Sequence, residues 1–129
     1  MTTENLWGEL PEIGKIRIPL SILREQASLL GHMTERLLEA SVFMNDNSDQ
    51  LIDAVLKISV PALSSYTVGI VQIKHKAEFY PVTLINLLTS EAREANNEAE
   101  FVEALGQILT SDKVRRVIES LLIHIRSAD

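Results

Sequence analysis

Ile52-Asp53-Ala54-Val55-Leu56-Lys57-Ile58-Ser59-Val60, closed by Pro61, is the stretch on which the fold turns. Ile52, Ala54, Leu56, Ile58 and Val60 alternate with Asp53, Val55, Lys57 and Ser59. That is the period of a strand with one face buried and the other largely wet. Pro61 stops it, because proline has no N–H to give to the ladder.

Upstream, Asn45-Asp46-Asn47-Ser48-Asp49 is a cluster of turn formers, whose short polar side chains bond their own backbone. Before it, Ala40, Val42 and Met44 alternate with Ser41 and Phe43 as a second, shorter strand. Downstream, in Tyr66 to Lys74, Tyr66, Val68 and Ile70 point one way while Val71 and Ile73 point the other. A strand apolar on both sides is either covered on both faces or bulged, and Gly69 makes a bulge natural. The two-sided apolarity favours cover on both faces of the sheet. Lys74-His75-Lys76 forms a basic turn, and Phe79-Tyr80-Pro81-Val82-Thr83-Leu84-Ile85 reads as a fourth strand. Pro81 assigns that strand to a sheet edge. Short links make the four strands an antiparallel meander.

Helices flank the meander. Pro19 sits where a helix begins, and Leu20, Leu23, Ala27, Leu30 and Leu37 follow helical spacing, widened by Ile22, Leu29 and Met33. One amphipathic helix over 19–38 results, with an apolar arc broader than one sheet face needs. Gly31 inside it signals close approach of another element or a bend. After a polar, weakly specified stretch, Glu91–Asn97, with Ser90 as a candidate cap, Asn97 and Glu100 form a capping box. Phe101, Val102, Leu105, Ile108 and Leu109 then mark a helix. Thr110-Ser111-Asp112 stops and restarts it, and Val114, Val117, Ile118, Leu121, Leu122 and Ile125 mark the last one. The expected fold is α+β: an N-terminal helix, a four-stranded antiparallel meander and two C-terminal helices. Residues 1–18 read as an N-terminal arm and residues 19–129 as a single domain.

Composition narrows the function classes. The 129 residues carry 12 Lys plus Arg against 18 Asp plus Glu, a net charge of −6, and no Cys. A net-negative chain is a poor DNA-backbone clamp, and aromatics at 5% are too sparse for a base-stacking platform. Nucleic acid would require Lys74, Lys76, Arg115 and Arg116 to converge. Without Cys there are no disulfides, thiolate metal sites or Cys nucleophiles. The start, Met1-Thr2-Thr3-Glu4-Asn5, has no signal-peptide pattern, and no apolar run approaches a bilayer's thickness. A cytoplasmic protein with no membrane partner is the expectation.

Catalytic templates fail on spacing. Gly8 and Gly14-Lys15 sit one residue too far apart for a P-loop, with Ile16 where a Ser or Thr is needed. There is no dinucleotide-binding glycine loop and no G-x-S-x-G elbow. A calcium loop at Asn45–Asp49 would put Gln50 where Gly is needed and Leu56 where Glu is needed. His32/Glu35 and His75/Glu78 are acid–imidazole pairs three apart, a spacing that abundant acids produce by chance. No cofactor or metal site is expected.

Two functional readings remain. The preferred one is a non-catalytic protein-interaction or self-associating module of the accessory or inhibitor kind. It rests on the missing catalytic constellation and on apolar surface exceeding one simple layer. Its anchors are Trp7, Phe79 and Tyr80, with the acidic 91–103 face and Arg115 and Arg116 as rim contacts. Against this, a lone Trp usually packs back on its own domain, and charged helix faces are usually just solvated. The alternative is a small-molecule-binding domain or enzyme with a pocket formed by Tyr66, His75, Glu78 and Tyr80.

Overall fold

The computed structural model describes residues 4–10, 17–45 and 51–127. Three helices lie beside a five-stranded antiparallel sheet: α1 (Pro19–Met33), β1 (Glu39–Met44), β2 (Ile52–Val60), β3 (Tyr66–His75), β4 (Val82–Asn86), β5 (Ala92–Ala95), α2 (Glu98–Leu109) and α3 (Asp112–Ser127). A single 3₁₀ turn, Pro61–Leu63, joins β2 to β3. The sheet order follows the chain, β1-β2-β3-β4-β5. The polar cluster after Asn45 lies outside the described residues, and so does most of Ile13–Ile18, a stretch of the arm whose sequence suggests a short strand.

β2 forms as its alternation demands. Ala54, Leu56, Ile58 and Val60 are buried on the face that the helices cover. The puzzle of β3 is resolved by a bulge. Ile58 pairs with Val68 and Leu56 with Val71, so Ile70 is one residue more than β2 can match. Partners across a ladder share a face, so Val68 and Val71 both point at the helices despite being three apart. Ile70 packs there too, in one cluster with Leu38, Val114 and Leu121. Two-sided apolarity therefore reflects an irregular strand, and the expectation of cover on both faces is corrected. The core clusters join helix residues to one sheet face only.

The opposite face carries Phe43, Val55, Lys57 and Gln72. The Lys57 ammonium lies 5.1 Å from the centre of the Phe43 ring. Asp53, buried there, accepts hydrogen bonds from the side-chain amides of Asn45 at 2.9 Å and Gln72 at 2.7 Å. A carboxylate is tolerable at such a site because two donors replace its water.

The strand count differs from the sequence expectation. Ala92–Ala95, read as a weak helical start, is a fifth strand. Asn86 builds the turn into it: its Oδ1 accepts from the Leu88 and Thr89 amides at 2.9 and 3.3 Å, and its carbonyl accepts from the Ser90 amide at 2.7 Å. Three of the four β5 residues are exposed and only Ala95 is buried, which leaves no alternation to read. β5 also removes β4 from the edge. Pro81 stands just before the first β4 residue, where its missing N–H costs no ladder bond.

α1 ends at Met33, five residues short of the expected limit. Thr34 Oγ1 donates to the Leu30 carbonyl at 2.9 Å and accepts from the Leu38 amide at 3.2 Å. Glu35 and Arg36 then take left-handed φ values of 51° and 67°. This reversal sends the chain into β1 and buries Leu38 in the core. Gly31 sits at a close approach: a Cβ there would lie 3.2 Å from the Glu39 carboxylate. α2 starts where expected, with Asn97 Oδ1 accepting from the Glu100 amide at 2.9 Å and Glu100 Oε1 accepting from the Asn96 amide at 2.9 Å. No described helix is long and apolar enough to cross a membrane.

Candidate functional site

The break between α2 and α3 shapes the site. Thr110 Oγ1 donates to the Gly106 carbonyl at 2.7 Å, and Ser111 Oγ donates to the Ile108 carbonyl at 2.7 Å while accepting from the Val114 amide at 3.4 Å. Hydroxyls thus take over backbone groups that would otherwise continue one helix. α3 then packs by Val114 and Leu121 over Leu38, Ile58, Val60 and Ile70. α1 packs by Ile22, Leu23 and Ala27 over a neighbouring part of the same sheet face.

Between the two helices runs an open cleft of about 810 Å³. Its floor is Leu56, Ile58 and Ile70 of the sheet. One wall is Leu29, Leu30 and Met33 of α1, and the other is Ile118, Leu122 and Ile123 of α3. Met33 is 80% exposed and Ile123 54%. The polar groups on its border are Gln26, Thr110, Arg115, Glu119 and Arg126. Arg115 is tethered, its Nε donating to the Thr110 carbonyl at 3.2 Å. The breadth of the α1 apolar arc was the sequence signal for this groove. The far wall had none, since Ile118 and Leu122 read as ordinary positions of the α3 apolar stripe and Ile123 falls outside that stripe.

A second, smaller cleft of about 600 Å³ lies on the other flank of α3. Tyr66, Lys113, Arg116 and His124 line it around Leu63 and Val68.

The residues singled out in the sequence are dispersed. Arg115 borders the first groove and Arg116 the second. Trp7 stands on the arm, 86% exposed. Phe79 and Tyr80 are half-buried at the β3–β4 corner, where the Phe79 ring centre is 5.8 Å from that of His75. His75 is buried, and its Nδ1–H donates to the Lys76 carbonyl, which can only accept. Tyr66 opens β3 and His75 closes it, about 30 Å apart along an extended strand. Glu78 is exposed at the corner. The four residues Tyr66, His75, Glu78 and Tyr80 therefore do not meet around one pocket. Neither Lys74 nor Lys76 lines either cleft beside Arg115 and Arg116. Among the described residues no three His, Asp or Glu side chains converge on a metal-sized site.

Tyr80 has a structural task. Its hydroxyl donates to the Arg17 carbonyl at 3.1 Å, and Arg17 forms an ion pair with Glu25 of α1. Burial, then the Glu98 carboxylate, raise the phenol's pKa above its ordinary value, against a smaller opposing pull from Arg17. The fold thus favours the neutral phenol. That contribution is intact below the unfolded value of about 10 and is lost as pH climbs through the raised folded value. Tyr80→Phe is expected to delete the later-titrating phenol from an alkaline absorbance titration and to flatten the stability loss at high pH. A late phenol persisting in Tyr80→Phe would refute the assignment.

Comparison with protein-family models, with curated proteins and with solved structures finds no match.

Proposed function

We propose that this chain is a self-associating protein-interaction module whose binding surface is the groove between α1 and α3. The supporting observation is an open cleft with an apolar floor and two apolar walls, in which Met33 and Ile123 face water. Exposed apolar surface of this extent lowers solubility and adds nothing to the fold of one chain, so covering it by another chain gives it a role. Apolar floor, apolar walls and a border of few polar groups fit an apolar-faced segment laid between two helices. The groove border offers one carboxylate, Glu119, and no His among its lining residues, and its task on this reading is binding rather than bond-making.

Sedimentation velocity on the full chain tests the proposal. The chain should sediment as a concentration-dependent mixture, and Met33→Glu with Ile123→Glu should collapse it to one slow species. The thermal midpoint should change little, because both side chains are already largely in water. An assembly that survives both charges, or a chain that is monomeric at every concentration, sinks the proposal.

A further inference from the structure

The described residues hold a second uncovered apolar group besides the groove. Leu6, Trp7 and Leu10 of the arm are 88%, 86% and 76% exposed, the first two more than any other large apolar side chain described and the third close behind Met33. Leu6 and Trp7 lie inside one turn of the chain, and Leu10 follows three residues on. Asn5 holds the turn: its Oδ1 accepts from the Trp7 amide at 3.0 Å and its amide donates to the Gly8 carbonyl at 3.4 Å. Gly8 takes a φ of 68°, open to glycine without strain. An arm built this way offers aromatic and aliphatic anchors with nothing under them.

We infer that the occupant of the α1–α3 groove is the Leu6-Trp7-Leu10 segment of a second copy of this chain, exchanged reciprocally. The inference rests on reading the groove as the binding surface and supplies the segment that fills it. Charge supports the match. Glu4 and Glu9 flank the anchors, with Glu12 following in sequence, while the groove border carries Arg115 and Arg126 against the one acid Glu119. Anchor chemistry supports it as well, since Trp is among the residues that most often dominate an interface when seated in an apolar pocket.

The exposure of Leu6, Trp7 and Leu10 in the single chain, outside its own groove, favours a second copy as the source of the occupant. The root of the arm is held at the β3–β4 corner by the Tyr80 hydroxyl on the Arg17 carbonyl and by the Arg17–Glu25 pair. α3, which forms the far wall, packs beside Leu63 of the 3₁₀ turn at the opposite end of β3. Chains related by a two-fold axis present each arm to the other's groove and close the assembly at two copies.

Trp7 is the only Trp in the chain, so its fluorescence reports the arm alone. With the full-length protein, the emission should move to shorter wavelength as concentration rises, in step with the mass seen by sedimentation. Leu6→Glu with Leu10→Glu should abolish the shift and weaken association about tenfold or more. Met33→Glu with Ile123→Glu should abolish the shift too. Water-like emission at all concentrations overturns the inference, as does a short-wavelength emission independent of concentration, which would place the arm on its own chain. Association that is lost in the groove variant but unchanged in the arm variant overturns the arm alone and leaves the groove as the interface. A shift that persists in the groove variant places the arm elsewhere and overturns the inference.

Discussion

Excising Ile70 should leave a folded protein, whereas excising Val55 should leave none. Ile70 is the residue by which β3 exceeds β2: Leu56 pairs with Val71 and Lys57 with Gly69. Without it, Val68 and Val71 stand two apart, and the ladder becomes regular with every other side chain on its present face. The cost is a buried side chain and the bond from the Leu87 amide to the Ile70 carbonyl, 2.9 Å long. Loss of a buried aliphatic group of this size costs about 2–5 kcal/mol. Val55 is different, because β2 pairs with β1 on one side and β3 on the other. Its excision slips the pairing and sends Leu56 and half of the buried row to the wet face while turning Lys57 inward. Circular dichroism and urea unfolding of both variants decide the matter. A cooperative transition for the Val55 excision, or none for the Ile70 excision, contradicts the bulge assignment.

Phe101→Ala should lower stability by about 3–5 kcal/mol, the usual cost of hollowing out a buried aromatic site. Phe101 is the largest fully buried side chain among the described residues and packs in one cluster with Ile22, Leu23, Val82, Leu84 and Ala95. It therefore ties α2 to α1 and to both C-terminal strands at once. Such a loss is a large share of a domain's usual 5–15 kcal/mol. Chemical denaturation reads it as a lower midpoint with an unchanged slope, and a cost near that of a surface substitution would show that α2 is not a structural lid. The two predicted losses arise in different places, one in the sheet's register and the other in the layer above it.

The two residues mark where local reading succeeds and where it stops. Phe101 lies in a clear helical stripe behind a capping box, so its burial was legible. The bulge was legible only as an alternative, since Gly69 permits it without requiring it. Backbone freedom at one residue does not say which partner residue goes unmatched; the register of β2 does. β5 was illegible, because an edge strand with one buried alanine has no pattern of apolar side chains. The end of α1 was misplaced for a related reason. Leu37 and Leu38 continue the helical spacing, and only the Thr34 hydroxyl with two left-handed residues breaks it.

The candidate site divides along the same line. An apolar arc too broad for one contact was visible on α1, and Trp7 was visible as a bulky group in a segment too short to bury it. The groove itself needed three distant parts of the chain, α1, the bulged sheet and α3, to be set at a particular spacing.

Alternation and helical period are short-range properties, written within a few residues of each other, and they sufficed for the α+β class, most element positions and both helix starts after the sheet. Which strand residue is left over, which sheet face stays bare and how far α1 stands from α3 are long-range outcomes. Each is decided by packing between segments tens of residues apart, where no local pattern carries the answer.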